Sequence, residues 1–274
     1  MDQRIAIQGI KGSFHHQVVM EYFGDSAVEE CMSFDALVDA VISKKANAAV
    51  MAIENSIAGS IIPNYALIDA NRLHIIGEHY LNIHHNLMGL KGQTIEDIKE
   101  VYSHPMALLQ CKKFFKQYPH IKLVEDADTA EVARRIHQGN LKGVGAIAGK
   151  AAAGLYDLEI LAAEIQTIRN NETRFVVVQP TNSVIPTDKI NKASMKFELD
   201  HKRGSLATVL NVMSDCKLNM TKIQSLPIME TPWKYAFFVD VTFEDYQHFQ
   251  KARSVLEIMA EKFRIHGEYI NAKR

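Results

Sequence analysis

The alternation of strand-like and helix-like segments constrains the fold of this chain more than any other feature. Apolar runs at 4–8, 48–53, 121–124 and 143–148 have the length of buried strands. Helical periodicity appears between them, for example at 34–42, where apolar residues recur on one face. Strands that alternate with helices predict an α/β fold with a mainly parallel sheet covered by helices on both faces.

A different pattern begins after residue 180. Residues 180–188 contain two prolines and several polar side chains without helical periodicity, which is typical of a linker. Beyond the linker the predicted elements follow the order βαββαβ, which is the ferredoxin-like plan. These elements are strand 194–200, helix 205–216, strand 219–227, strand 233–243, helix 245–262 and strand 265–271.

Length and composition narrow the class of protein. The 274 residues exceed one typical domain, so two domains are expected. Lys+Arg number 31 and Asp+Glu 32, and the net charge of −1 predicts no binding to nucleic acid or to a membrane surface. No apolar run is long enough to span a membrane, and no signal peptide is recognisable. Three widely spaced cysteines predict reduced thiols, so we expect a cytoplasmic protein.

Polar side chains stand at the ends of two apolar strands. Asn171-Glu172-Thr173-Arg174-Phe175 runs directly into Val176–Val178, and Glu54-Asn55-Ser56 follows an earlier strand. Because α/β folds gather their ligands at the ends of strands, the hydroxyl of Thr173 and the guanidinium of Arg174 are candidates for a binding site. Taken alone, the same pattern also fits a polar entry loop with a structural arginine.

Four motifs carry the strongest functional signal: Gly9-x-x-Gly12-Ser13-Phe14, Glu54-Asn55-Ser56-x-x-Gly59, Ser103-His104-Pro105-x-Ala107-Leu108-x-Gln110-Cys111 and Asn171-x-Thr173-Arg174-Phe175. Their order and spacing resemble those of prephenate dehydratases, and the resemblance covers residues 4–179. The C-terminal part resembles the ACT domain of the same family, through Gly204-Ser205-Leu206-Ala207 and Ile223-Gln224-Ser225-Leu226-Pro227.

The resemblance implies a catalytic domain at 1–182 and an ACT regulatory domain at 193–274. The catalytic domain would consist of two α/β subdomains like those of type 2 periplasmic binding proteins. One would comprise roughly residues 1–75 with 165–182 and the other 76–164, with the active site in the cleft between them. The expected fold class is α/β, with a ferredoxin-like second domain.

The resemblance also implies a reaction and its residues. In this family prephenate loses its ring carboxylate as CO2 and its C4 hydroxyl as water, which gives phenylpyruvate and requires no cofactor. Thr173 matches the family's proton donor and would act as a pre-aimed hydrogen-bond donor to the leaving oxygen. Arg174 could bind a substrate carboxylate in a bidentate manner. The other catalytic candidates are Asn55, Gln110, Glu54 and Ser103, and the substrate-binding candidates are Ser13, Ser56, Gly59, His104 and Phe175.

Two of these assignments have structural alternatives. Glu54 could feed protons to the leaving group or only order its loop. Phe175 begins the apolar run and fits the core better than a ligand contact. The turn at Gly12-Ser13 is expected to offer backbone N–H groups to a carboxylate.

The C-terminal motifs imply regulation by L-phenylalanine at the ACT domain, in a homodimer or homotetramer. Gln224 and Leu226 stand where Glu and Arg are common, which weakens the expectation of strong inhibition. The residues expected to bind the effector are Gly204, Ser205, Leu206, Ala207, Asn219, Gln224 and Ser225.

Alternatives remain open at this point. Arogenate dehydratase would act on a substrate that carries an amine in place of the side-chain keto group, and a non-catalytic aromatic amino-acid sensor would keep the cleft without the chemistry. His74, His79, His84 and His85 lack the spacing of a metal site, so a structural or surface role is expected and no metal. Adjacent His84 and His85 would point to opposite faces of a strand.

Overall fold

A computed structural model describes residues 3–182, 185–200, 202–228 and 235–273. Its contacts divide the chain into two compact units. The first comprises Met1–Gly59 and Leu81–Phe175, and the second comprises Ser60–Tyr80 and Val176–Arg274. The expected domain limits at 182 and 193 stay a prediction.

The first sheet begins with three parallel strands, as the alternation predicted. β1 (Arg4–Gln8) lies between β2 (Ala27–Cys31) and β3 (Ala48–Asn55) and pairs with both in parallel. The order continues as β2-β1-β3-β11-β5, in which β5 is His74–Asn82 and β11 is Glu172–Gln179. Strands β5 and β11 each contribute residues to both units.

The helices that follow the first two strands each begin at a serine cap. Helix α1 (Phe14–Phe23) begins after Ser13, whose Oγ accepts a hydrogen bond from the N–H of His16. Helix α2 (Phe34–Ile42) begins after Ser33, whose Oγ accepts from the N–H of Ala36. Each serine therefore marks the start of the helix that follows it.

The second sheet of the first unit has the strand order β10-β6-β9-β7-β8. β7 pairs in parallel with β8 and β9, whereas β6 is antiparallel to both β9 and β10. The expectation of a mainly parallel sheet is therefore wrong for β6 and β10, because β6 enters this sheet without a preceding crossover helix. The strands are β6 (Asn86–Gly89), β7 (Glu100–Ser103), β8 (Lys122–Glu125), β9 (Val144–Ala148) and β10 (Glu159–Ala162).

Three helices pack against this second sheet. Helix α4 (Pro105–Phe115) starts with proline at its first position, and α6 is Lys150–Leu155. Asp128 caps α5 (Thr129–Gly139), which ends at Asn140 in the left-handed conformation. A short 3₁₀ turn, Ile95–Asp97, precedes β7.

The C-terminal part of the second unit has the ferredoxin-like plan, which confirms the prediction of βαββαβ. Its antiparallel sheet has the order β13-β14-β12-β15. A core that includes Phe197, Val239 and Phe249 lies between the sheet and its helices. The elements are β12 (Lys192–Glu198), α7 (Ser205–Asp215), β13 (Asn219–Pro227), β14 (Tyr235–Thr242), α8 (Tyr246–Met259) and β15 (Lys262–Tyr269), preceded by the 3₁₀ turn Thr187–Lys189.

The segment Ser60–Tyr80 belongs to the same unit as the ferredoxin-like sheet. It follows the two-residue strand β4 (Gly59–Ser60) and contains helix α3 (Ile62–Ala70) and most of β5. A buried ion pair ties it to β12, because Lys192 Nζ lies 2.8 Å from Glu78 Oε2. Gly267 of β15 also packs closely, since a Cβ there would lie 1.9 Å from the carbonyl oxygen of Ile75.

Across the described residues, no helix combines the length and the apolar character that crossing a bilayer requires.

Candidate active site

The end of β3 and the start of β11 lie side by side. The N–H of Ser56 donates to the carbonyl of Glu172 at 2.8 Å, and the N–H of Glu172 donates to Ser56 Oγ at 2.9 Å. This pairing brings Asn55 next to Thr173, although 118 residues separate them in the sequence. Two of the predicted catalytic residues therefore meet at the ends of neighbouring strands.

Asn55 is held by the loop that follows it. Its Oδ1 accepts hydrogen bonds from the N–H groups of Ile57 at 3.0 Å and Ala58 at 2.8 Å. Its Nδ2 donates to Thr173 Oγ1 at 2.9 Å and to Asn171 Oδ1 at 2.7 Å. One amide thus links the loop to both residues at the start of β11.

The network continues through a second amide to helix α4. Asn171 is fully buried, and its Nδ2 donates to Gln110 Oε1 at 2.8 Å. His85 Nε2 lies 2.9 Å from the same Gln110 oxygen. One connected hydrogen-bond network therefore joins five side chains: Thr173, Asn55, Asn171, Gln110 and His85.

The direction of each hydrogen bond in this network follows from Asn55, which two backbone N–H groups hold in place. Backbone N–H groups can only donate, so the atom of Asn55 that faces Ile57 and Ala58 must be its oxygen. The Asn55 amide nitrogen then faces Asn171 Oδ1, and the Asn171 nitrogen faces Gln110 Oε1.

The network leaves two donor groups without an acceptor. Thr173 Oγ1 accepts from Asn55, and among the described residues nothing accepts the hydroxyl hydrogen. Gln110 Oε1 accepts from Asn171, and no acceptor for Gln110 Nε2 occurs in the part of the chain that the structure describes. The arrangement therefore presents a hydroxyl and an amide N–H₂ that can donate to oxygen atoms of a ligand.

The other predicted catalytic residues differ in their surroundings. Ser103 is fully buried at the end of β7, and its Oγ donates to the carbonyl of Ile147 at 2.7 Å. Arg174 is 5 % exposed on β11, and Glu54 is half-buried near the end of β3. The Ser103 hydroxyl is thus already engaged by the backbone of the second sheet.

The predicted substrate-binding residues are spread over several turns. Ser13 is buried as the cap of α1, and exposed His104 caps α4 by accepting from the N–H of Met106 through Nδ1. Gly59 has a positive φ of 83°, which suits glycine. Phe175 lies in the core, where its ring meets His15 edge to face at 5.0 Å between centroids. The roles of these residues, like that of Ser56, stay predictions.

The N–H groups of the Gly12-Ser13 turn are used inside the turn itself. Gly12 donates to His16 Nδ1 at 3.2 Å, and Ser13 donates to the carbonyl of Ile10 at 3.0 Å. The expectation that these groups are open to a carboxylate is wrong for this conformation, because His16 and the turn already accept their hydrogens.

Three buried polar residues of the first unit are not among the predicted catalytic or substrate-binding residues. Asn171 is part of a motif but was not assigned a role, and His85 was assigned a structural or surface role. Asp128 lies so close to the first glycine turn that a Cβ on Gly9 would be 2.5 Å from its carboxylate. Burial raises the pKa of Asp128 and lowers the pKa of His85 to about 4. Residues 83–85 lie between β5 and β6, so His84 and His85 do not share a strand as expected.

Two of the residues predicted to bind the effector line one cavity in the second unit. Gly204 precedes α7 with a φ of 87°, and Ser205 and Leu206 line a cavity of about 130 Å³ together with Tyr235 and Phe237. These residues place a helix N-terminus beside aromatic side chains.

Strand β13 carries three of the residues that are predicted to bind the effector. Ser225 pairs with Phe237, which lines that cavity, and Gln224 Nε2 donates to the carbonyl of Ser225. Asn219 pairs with Thr242 at the opposite end of the strand, about 20 Å away at the rise of a β-strand. The cavity in this single chain therefore does not include Asn219, and Ala207 is exposed on α7.

Metal-ligating side chains are not grouped in the described ranges 3–182, 185–200, 202–228 and 235–273. No three His, Cys, Asp or Glu residues there lie close enough together to hold a metal ion.

Known proteins match the chain over most of its length. The family model for prephenate dehydratase matches residues 5–183. Arogenate dehydratase 2 of Petunia hybrida is 36 % identical over 97 % of this chain and 71 % of its own length. The bifunctional chorismate mutase/prephenate dehydratase of Enterobacter agglomerans is 31 % identical over 97 % of this chain and 70 % of its own.

Solved structures share the fold. A protein described as GqqA, a novel type of quorum quenching acylase, superposes with a TM-score of 0.89 and 26 % identity over 99 % of both chains. Prephenate dehydratase from Arthrobacter aurescens in complex with L-Phe superposes with a TM-score of 0.88 and 24 % identity, over 98 % of this chain and 90 % of that one. On the family model and the curated relatives, the chain belongs to the prephenate dehydratase family.

Proposed function

We propose that the protein is a prephenate dehydratase, which converts prephenate to phenylpyruvate with loss of CO2 and water. The observation that carries this proposal is the hydrogen bond from Asn55 Nδ2 to Thr173 Oγ1. Because the oxygen of Thr173 accepts this bond, its own hydrogen is the group left to donate. A departing hydroxyl requires such a donor.

The reaction needs one proton and no electron acceptor. The bond between the ring and its carboxylate breaks, CO2 leaves, and the bonding electrons enter the ring. The bond from C4 to its oxygen then carries its electrons away with the leaving hydroxide, which becomes water when it gains a proton. Thr173 supplies that hydrogen, and water restores it. Formation of the aromatic ring provides the driving force.

Asn55 assists Thr173 in two ways. Its N–H fixes the rotation of the hydroxyl before the substrate arrives, so the donor needs no reorganisation during the reaction. As Thr173 gives up its hydrogen, negative charge grows on Oγ1, and the Asn55 N–H stabilises that charge. Gln110 offers a second donor, which suits the leaving oxygen or a carboxylate of the substrate.

Arg174 is assigned to a carboxylate of the substrate. Prephenate carries two carboxylates, and a guanidinium binds a carboxylate through two parallel hydrogen bonds. Arg174 is buried, so its charge acts in surroundings where electrostatic interactions are stronger than in water.

The choice between keto and amino substrates is decided by direct assay. Bacterial relatives are named for prephenate and the Petunia relative for arogenate, and we assign prephenate to this chain. Purified protein is incubated with each substrate, and phenylpyruvate or phenylalanine is quantified. We expect a higher kcat/KM for prephenate. A higher value for arogenate would transfer the assignment to arogenate dehydratase, and the absence of either product would overturn the dehydratase assignment.

An acylase is the second candidate, because one protein of the same fold is described as a quorum quenching acylase. Acyl transfer requires a nucleophile that a neighbouring base can deprotonate. Within the described part of the chain, the side-chain partner of the Thr173 hydroxyl is the Asn55 amide, which donates and cannot accept a proton. This contact favours the dehydratase. Hydrolysis of an acylated amine that disappears in Thr173→Ala would favour the acylase.

We also assign the C-terminal βαββαβ part of the second unit to an ACT-type regulatory domain that binds L-phenylalanine. The support is the cavity beside Ser205 and Leu206, where N–H groups of α7 suit a carboxylate and Phe237 suits a ring. Two or four copies of the chain would form the active protein, because ACT domains commonly associate in pairs.

A further inference from the structure

We propose that His85 is a positioning residue, which donates a hydrogen bond from Nε2 to Gln110 Oε1 and thereby aims the Gln110 N–H₂ group at the substrate. The inference rests on the proposed dehydratase function. It adds a residue that neither the motifs nor the comparisons assign.

The donor role follows from the anchored network. Gln110 Oε1 already accepts from Asn171 Nδ2 at 2.8 Å, so the atom that faces His85 is an oxygen. An oxygen 2.9 Å from Nε2 requires a hydrogen on that nitrogen, because two lone pairs at this distance repel each other. The ring is neutral, since burial lowers the pKa of His85 to about 4. A neutral ring with its hydrogen on Nε2 carries none on Nδ1.

The unpartnered nitrogen agrees with this tautomer. In the described part of the chain His85 Nδ1 is buried without a hydrogen-bond partner. A bare acceptor there costs free energy that most buried polar groups avoid, so an explanation is required. The hydrogen bond from Nε2 to Gln110 accounts for an imidazole at this position.

The surroundings of His85 hold its ring in place. Its N–H donates to Gln166 Oε1 at 2.9 Å, and its carbonyl accepts from Ile165 at 2.8 Å. The ring meets Phe14 edge to face at 5.8 Å between centroids. Because the Nε2–H group of His85 is engaged by Gln110 Oε1, His85 acts through Gln110.

Two donors on one oxygen determine the orientation of the amide. With Asn171 and His85 both pointing at Oε1, a flipped Gln110 would face two N–H groups with its own N–H₂ group. Loss of His85 Nε2–H removes one of these restraints, and misplacement of a catalytic group by about 1 Å can cost about 10²-fold in rate. The effect should fall on kcat, because a well-aimed donor matters most as charge develops on the leaving oxygen.

The experiment compares His85→Gln with His85→Asn in the full-length protein. The amide nitrogen of glutamine lies near the position of imidazole Nε2, whereas that of asparagine lies near Nδ1. We expect His85→Gln to keep kcat within about fivefold of wild type and His85→Asn to lose about 10²-fold, with KM changed much less. Thermal unfolding of both variants verifies that they are folded. Equal losses in the two variants would overturn the proposal.

A double-mutant cycle tests whether His85 acts through Gln110. In a Gln110→Leu background, His85→Asn should lower kcat by less than about twofold, because the amide that it positions is already gone. A further loss of about 10²-fold in that background would show that His85 acts by another route and would overturn the proposal.

A measurement without substrate separates this inference from the proposed function. Nitrogen-15 NMR of the wild-type imidazoles at neutral pH should show His85 as the neutral Nε2–H tautomer. An Nδ1–H tautomer or an imidazolium would overturn the positioning role even in an active enzyme. If no dehydratase activity is found but the Nε2–H tautomer is present, the proposed reaction fails while the hydrogen-bond assignment stands.

Discussion

Thr173 offers one hydrogen, and its oxygen already accepts one from Asn55. A threonine hydroxyl is a weak acid in water, so its usefulness depends on where it points and on what stabilises its oxygen. The network supplies both conditions through the side-chain amides of Asn55, Asn171 and Gln110, which carry no charge.

Removal of this hydroxyl is the direct test at the scale of one residue. We expect Thr173→Ala to lower kcat by about 10²–10⁴-fold, the range for loss of a positioned general acid. Thr173→Ser keeps the hydroxyl and should retain most of the activity. Steady-state formation of phenylpyruvate measures both variants. An alanine variant as active as the serine variant would remove Thr173 from the chemistry.

Asp128 predicts a pH-dependent stability. Burial raises its pKa in the folded state, so its contribution to stability is present at low pH and is lost as the pH rises through that raised value. Asn caps a helix as well as Asp does and carries no charge. Asp128→Asn should therefore increase the free energy of unfolding near pH 7, and the gain should shrink toward pH 4.

Urea unfolding from pH 4 to pH 8 measures this difference. Asp245→Asn is the matched control, because Asp245 caps α8 in the same way but is exposed. A gain for Asp128→Asn that is constant across the pH range would contradict the proposed cause.

At the scale of elements, the sequence located most helices and strands to within a few residues. Caps such as Ser13 and Asp128 and the proline at 105 are local signals, so the ends that they mark could be read directly. Although β8 also has four residues and was predicted from the apolar run 121–124, β6 and β10 were missed. Their antiparallel pairing depends on partners far along the chain.

The residues of the candidate site also divide into those that local motifs predict and those whose roles depend on distant partners. Thr173, Asn55 and Gln110 could be predicted from motifs, whereas His85 and Asn171 could not be given roles. Their partners lie 25 and 61 residues away along the chain at Gln110. The sequence around His85 gives no sign of which ring nitrogen bears a hydrogen, and only the assembled network determines it.

A substitution at Gly267 tests how closely β15 packs against β5. A Cβ at this position would overlap the carbonyl oxygen of Ile75, which belongs to the backbone and cannot rotate away. Gly267→Ala should lower the free energy of unfolding by about 3 kcal/mol. Gly154→Ala is the control, since nothing lies within 4 Å of a Cβ there and alanine in α6 should stabilise by about 0.5–1 kcal/mol. Equal effects of the two substitutions in urea unfolding would refute the close packing at Gly267.

At the scale of the whole molecule, the proposed effector response can be tested by charge. Ser205→Glu places a negative charge at the first turn of α7, which favours the helix but opposes an incoming carboxylate. We expect the affinity for L-phenylalanine to fall by about tenfold, equivalent to about 1.4 kcal/mol, in calorimetry of the full chain. Ser254→Glu adds the same charge at an exposed position of α8 and should leave the affinity unchanged. Equal affinity in both variants would move the effector site away from α7.

The ion pair between Glu78 and Lys192 also has a consequence for folding during synthesis, because its two residues are translated at different times. The two residues are 114 positions apart, so at roughly 5–20 residues per second the ribosome adds Glu78 about 6 to 23 seconds before it adds Lys192. Throughout that interval the segment that follows Gly59 cannot complete its unit. In the nascent chain α3 and most of β5 must therefore stay without their packing partners. A chaperone that binds apolar segments could bind them before the C-terminal strands are synthesised.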